Sequence, residues 1–276
     1  MSSQKKIRVI LLKNRTVPID KYESECESKS FEPVFIPLIK HTHITQDFRN
    51  VLNSAPNYLN SINYIIITSQ RTVESLNESI IPKLTKEQKA TLFSKTVYTV
   101  GPATAAFIKR SGFTNVKGGE EAGNGSILAD IIINDLTVGV ETQSSNELLF
   151  LVGEIRRDII PKKLSSKGIK VREVVTYKTE DLDDNFTRFV HAAKPNDDDE
   201  KFSNWVVVFS PQGTKGITQY LYTENHSSDS KKLRIASIGP TTKKYLDSNN
   251  ITSDVVSPKP DPRSLLDAIE LYEHHS

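Results

Sequence analysis

One phrase occurs twice in this chain. "VYTVGPATAAFIKRSGF" runs from Val97 to Phe113, and "RIASIGPTTKKYLDSNNI" runs from Arg234 to Ile251. Each reads as a short apolar strand, then Gly-Pro, a threonine and a helical pattern. The echo extends outward. "NYIIITSQRTVESL" parallels "NWVVVFSPQGTKGI" and aligns Ser69 with Ser210. "GNGSILADII" parallels "PDPRSLLDAI". At the front, "KIRVILLKN" parallels "ELLFLVGEI", and "FEPVFIPLIK" parallels "VREVVTYKT". The elements recur in one order at an offset near half the chain, which describes a duplicated architecture rather than a solenoid.

The repeated unit is βα in character. Short β-branched runs occur at Ile7–Leu12, Val34–Ile39, Tyr64–Thr68, Val97–Val100, Leu148–Val152, Lys170–Val175, Trp205–Phe209 and Ile235–Ile238. Most are followed by Gly, Pro, Ser or Thr and then by helical spacing, so an α/β fold with parallel sheets flanked by helices is expected. Runs such as "YIIIT" and "WVVVF" fit strands buried on both faces. With 276 residues, two similar domains are the natural division. Two cuts fit the repeat. One falls midway; the other packs 1–37 with 180–276 around an inserted 41–175. "HAAKPNDDDEKFSN" and "YTENHSSDSKK" read as solvated loops.

Several chemistries lack their signatures. The single cysteine, Cys26 in "ESECES", excludes an internal disulfide and a multi-thiolate zinc site, and its acidic setting raises a thiol pKa. Histidines at 41, 43, 191, 226 and in the terminal "HH" show no helix-borne ligand spacing, and the terminal pair reads as a frayed tail. No phosphate loop, no nucleophile elbow and no dinucleotide glycine pattern after "LLKNRT" appears, which counts against a nucleotide-dependent enzyme. "GGEEAGNG" is acidic and reads as a loop and helix start. A net charge of +2 does not predict nucleic-acid binding, and no run of about 18 apolar residues predicts a membrane span. The basic N-terminus runs straight into a strand pattern without a cleavage site, so a cytoplasmic location is expected.

Hydroxyls, amides and cations remain. Gly-Pro followed by Thr104, and by Thr241 and Thr242, sets free helix amides beside hydroxyls, where the threonines either cap the helix or help hold an anion. Ser69 and Arg71 in "TSQRT", and Ser210 in "SPQGT", follow buried strands in the same way. "LKNRT" brings Lys13 and Arg15; "VGEIRRD" brings Gly153, Arg156 and Arg157. Ligands of open α/β sheets sit at the carboxyl ends of strands, where these loops lie. The set suits a molecule bearing several carboxylates or phosphates. Tyr177 in "VVTYKTE" reads either as apolar glue between domains or as a hydrogen-bond donor into a cleft.

"YIIITSQRTVESL", "VYTVGPATAAFIKRSGF", "LLFLVGEIRRDIIPKKLSSKGIKVREVVTYKT", "VVVFSPQGTKGI" and "IASIGPTTKKYL" together resemble the uroporphyrinogen-III synthase family, in order and over nearly the whole chain. The resemblance implies a discontinuous first domain of 1–37 and 180–276, an inserted second domain of 41–175, and two connector strands at 38–40 and 176–179. It implies a cytoplasmic, monomeric lyase of heme biosynthesis that uses no cofactor or metal and has no nucleic-acid or membrane partner. The substrate would be hydroxymethylbilane, a linear tetrapyrrole with eight carboxylates, closed in the interdomain cleft with loss of water and inversion of ring D. Since the bilane also cyclises unaided to the uninverted isomer, geometric control would dominate catalysis. Tyr177 matches the family's connector tyrosine and would donate the proton. Ser69, Arg71, Thr104, Ser210, Thr241, Thr242, Arg15 and Gly153 would bind substrate. Gln70 stands where the family more often has proline. A non-catalytic binding protein for a multi-carboxylate small molecule is the competing expectation.

Overall fold

The computed structural model describes residues 6–55, 57–137, 147–194, 202–225 and 233–275. Of the two polar segments expected to be loops, 195–201 and 226–232, with His226, lie outside these residues. Their described ends are not loop, since 191–193 and 222–225 finish helices and 202–204 open a strand. Among the described residues eleven strands form two sheets. They are β1 (Lys6–Leu12), β2 (Glu32–Phe35), β3 (Ile39–His43), β4 (Tyr64–Ile67), β5 (Thr96–Val100), β6 (Val116–Gly119), β7 (Leu148–Gly153), β8 (Val171–Asp181), β9 (Phe202–Val208), β10 (Arg234–Ser237) and β11 (Val255–Val256).

The chain divides into two compact units, 1–40 with 180–276, and 41–179. The first holds a parallel sheet of order β11-β10-β9-β1-β2. The second is built on the order β3-β8-β7-β4-β5-β6. Its pairs from β8 to β6 are parallel. The chain crosses between the units twice, within β3 and within β8.

The apolar runs are two-sided. Along β4 and β7, Ile65, Ile67, Leu149 and Leu151 join one core cluster, while Ile66, Leu148, Phe150 and Val152 join another. The period of two in a strand sends alternate residues to opposite faces, so an unbroken apolar run fills a core on each side. The first sheet does the same. Ile10, Leu12, Val206 and Val208 fill one face; Val9, Leu11, Trp205 and Val207 fill the other.

Four local expectations change. "VFIPLI" is two strands: β2 pairs with β1 in the first sheet and β3 belongs to the second, and Pro37, which has no N–H to donate, lies in the break. Tyr177 lies inside β8, which continues to Asp181, instead of following a strand. Gly118 and Gly119 end β6 rather than forming a loop. The terminal histidines complete the helix Pro262–His275, where His275 Nδ1 lies 2.7 Å from the Leu271 carbonyl oxygen.

Asp20 anchors the start of the helix Lys21–Ser28. Its buried carboxylate accepts from the Tyr22 N–H at 2.9 Å, the Thr16 N–H at 2.8 Å and the Lys13 ammonium. Burial alone would raise its pKa, but these donors outweigh burial and hold it at about 2 against the usual 3.8. The folded pKa is the lower one, so the contribution, about 2 kcal/mol, is full above pH 4 and fades as pH falls toward 2. Urea titrations of wild type and Asp20→Asn at several pH values should show a gap that closes over that interval. A gap of constant size from pH 5 to pH 2 would contradict the assignment.

Candidate functional site

The second unit gathers its polar strand ends around Tyr177. β7 and β8 pair with a register shift at Val152/Gly153, so that Val152 faces Val175 but Gly153 faces Tyr177. Such a bulge re-aims the side chain that follows it. Thr176, the residue skipped, is buried and donates to the Val152 carbonyl oxygen at 3.1 Å. The Glu154 N–H then donates to the Tyr177 carbonyl oxygen at 2.9 Å, which closes the bulge.

The phenol lies directly against Gly153. A Cβ at that position would sit 2.6 Å from Tyr177 Cζ and 2.7 Å from Oη, closer than side-chain carbons approach, so only glycine fits beneath the ring in this pose. Tyr177 Oη and Ser69 Oγ share a hydrogen bond of 3.2 Å. Ser69 follows β4 and caps the helix Gln70–Ser75, its Oγ accepting from the Arg71 N–H at 3.2 Å. Gln70 is the first residue of that helix. On the other side, the His41 ring meets the Tyr177 ring edge-on, with centroids 6.2 Å apart. Burial, then the charge of Arg71, lowers the His41 pKa.

Ser69, Gly153 and Tyr177 line a pocket of about 590 Å³ that also takes in Arg156, Arg157 and the start of the helix Gly125–Thr137. Asn124 Oδ1 accepts there from the Ser126 and Ile127 N–H groups, at 2.9 and 3.0 Å. Arg156 is committed to Glu173 through a two-pronged contact of 2.8 and 2.9 Å. Arg157 makes no ion pair among the described residues. The pocket therefore offers a hydroxyl pair, a guanidinium open to an incoming carboxylate, and apolar walls from Phe150, Val152 and Ile160. Sequence reasoning named Arg157 only as one of several cations. The signal that separates it from Arg156 is Glu173 on the adjacent strand.

The other expected site residues are distributed differently. Arg71 is exposed and bound to Glu74 at 2.7 Å. Thr104 is buried on the helix Pro102–Arg110. Arg15, Ser210, Thr241 and Thr242 belong to the first unit. Arg15 is held by Glu23 at 2.6 Å. Ser210 is exposed after β9, and the next helix begins only at Lys215, so it does not cap as Ser69 does. Thr241 is exposed, whereas Thr242 is buried and donates to the Phe209 carbonyl oxygen at 3.2 Å. Thr104, Thr241 and Thr242 do not cap their helices. Gly101 and Gly239 occupy the caps, with proline as the first helical residue in both. Gly101 has φ of 78°, a left-handed conformation that favours glycine, while Gly239 at 170° is extended. Cys26 is buried, and burial followed by its acidic neighbours pushes its thiol up to about 12, so it is a packing residue. Among the described residues, no group of three or more His, Cys, Asp or Glu side chains is placed to hold a metal ion.

Two α/β units built on largely parallel sheets, one of which gathers a tyrosine, a serine and an arginine without an ion pair among the described residues around a single pocket, define a two-unit α/β protein with a candidate small-molecule site. The chain belongs to the uroporphyrinogen-III synthase HemD family, whose pattern matches residues 20–267. It is 77% identical over 275 residues to the uroporphyrinogen-III synthase of Saccharomyces cerevisiae, with all of both chains covered. It is 32% identical over 267 residues to that of Schizosaccharomyces pombe, covering 97% of this chain and 98% of the relative. In fold it is similar to the crystal structure of uroporphyrinogen-III synthetase from Helicobacter pylori, with a TM-score of 0.55 at 19% identity, over 96% of this chain and 99% of that one.

Proposed function

We propose that this chain is a cyclising lyase, a uroporphyrinogen-III synthase that converts hydroxymethylbilane to uroporphyrinogen III. The single observation that carries the chemistry is the Tyr177 phenol, fixed by Ser69 and Gly153 in a pocket that also holds Arg157. Family membership supports the reaction and its substrate.

In this reading the Tyr177 O–H donates to the leaving hydroxyl on ring A. The C–O bond breaks, water departs, and the pyrrole nitrogen's electrons stabilise the carbon left behind. That carbon bonds to the substituted α-carbon of ring D, giving a spiro intermediate. The older bond from that α-carbon to its bridge then breaks and re-forms at ring D's free α-carbon, which inverts the ring. The proton this free carbon sheds on rearomatising returns to the Tyr177 phenolate. Ser69 aims the phenol. Arg157 receives a substrate carboxylate, and the nearby start of the helix Gly125–Thr137 favours negative charge through its dipole. Ser210, Thr241 and the loop of Thr104 hold other carboxylates. Arg15 and Arg71 join them by exchanging their glutamate partners for substrate. Thr242 shapes its loop through Phe209. The protein acts as a cytoplasmic monomer without cofactor or metal. No helix among the described residues is long and apolar enough to cross a membrane.

Protein stripped with EDTA and desalted should consume hydroxymethylbilane as fast as untreated protein and well above the no-protein control. A rate that falls to the control and returns on adding a divalent metal would contradict this reading.

A further inference from the structure

A second pocket lies on the other face of the six-stranded sheet. It has a volume of about 450 Å³ and shares no lining residue with the Tyr177 pocket. Its floor is Phe48, Ile80 and Leu84, all buried members of the cluster containing Ile65 and Leu151. The Tyr177 pocket rests instead on Phe150, Val152 and Ile160 of the opposite cluster.

Local structure opens the space. The helix Gln46–Ser54 turns Phe48, Arg49 and Leu52 to one side, as three- and four-residue spacing requires. Facing it, the helix that starts at Gln70 relaxes into a π turn at Leu76–Ile80 and a 3₁₀ turn at Ile81–Lys83. Single π turns of this kind frequently occur at functional sites.

The rim is cationic. Arg49 and Lys83 stand above the apolar floor, and no acidic residue lines the pocket. Arg49 Nη2 donates to Thr45 Oγ1 at 3.0 Å, which steadies the guanidinium, and neither cation has an ion-pair partner among the described residues. Ser79 brings a hydroxyl 2.8 Å from His43 Nδ1. A few polar groups converging over an apolar floor, in a volume of this size, are the ordinary makings of a small-molecule site.

We propose that this pocket binds an amphipathic monocarboxylate, its ring-sized apolar body against Phe48, Ile80 and Leu84 and its carboxylate between Arg49 and Lys83. The ligand differs from a bilane in having one anionic end and one apolar end, and the proposal stands apart from the cyclisation reading. Calorimetric titration of the full chain with 2-naphthoate tests it. Naphthoate should bind saturably, and both 2-naphthamide and acetate at least about tenfold more weakly, since each keeps only half of the required chemistry. Arg49→Gln with Lys83→Gln should weaken naphthoate about tenfold or more, while Arg157→Gln leaves it unchanged. Both altered residues are exposed, so folding is expected to survive, and an unchanged melting midpoint verifies this. No saturable binding, equal binding of naphthamide, or loss of binding in Arg157→Gln instead would overturn the assignment.

Discussion

Tyr177→Phe is expected to lower kcat by about tenfold to a hundredfold while KM stays within about twofold. Phenylalanine keeps the ring against Gly153 and removes only the hydroxyl that meets Ser69. Positioned proton donors typically contribute about 10² to 10⁴ in rate. A phenol is a weak acid near neutral pH, so the lower end applies. The split between constants carries the information. A group acting only on bound substrate at the leaving hydroxyl alters turnover, whereas a binding contact alters KM. An unchanged kcat with a raised KM would make Tyr177 a binding residue and leave the proton to water or to the substrate's own carboxylates.

Gly153→Ala should cost as much activity or more, by a different route. The new methyl would sit within 2.9 Å of two ring carbons and the hydroxyl oxygen of Tyr177. The ring must swing away, lose Ser69 and intrude into the pocket. Turnover should fall about a hundredfold, with an overpacking penalty of about 1–3 kcal/mol in stability. Coupling separates this from a generic strand defect. In a Tyr177→Ala background the methyl meets empty space, so Gly153→Ala should then cost about 1 kcal/mol less or better. An additive penalty in the two backgrounds would show that the damage lies elsewhere in β7.

The strand positions were largely readable because each buried strand is a continuous apolar run that ends at a helix-start signal; the order of the strands in each sheet was not read. Ser69, Gly153 and Tyr177 were each readable as residue types next to apolar runs, although Tyr177 falls within β8. Their meeting was not, because it depends on one skipped residue opposite Val152/Gly153, and a bulge leaves no mark in hydrophobic periodicity. The two Gly-Pro phrases match in sequence but not in backbone, since only Gly101 adopts a left-handed angle. Deeper equivalence survives. Thr99 and Ser237, each two residues before its glycine, are both buried hydroxyls without a hydrogen-bond partner among the described residues. Thr104 and Thr242 looked like exposed donors because residue type was visible and helix phase was not. The arginines divide by partner: Glu23, Glu74 and Glu173 claim Arg15, Arg71 and Arg156; the Arg71–Glu74 pair is a same-helix i,i+3 spacing, whereas the Arg156–Glu173 pair is invisible until β7 and β8 are adjacent.

The most direct test of the cyclisation reading is the isomer of the product. Purified protein is given freshly generated hydroxymethylbilane with no added cofactor, and the oxidised porphyrins are separated. Predominantly type III product, formed faster than the spontaneous reaction, is the predicted result. Type I product alone, at the rate of the protein-free control, would contradict it.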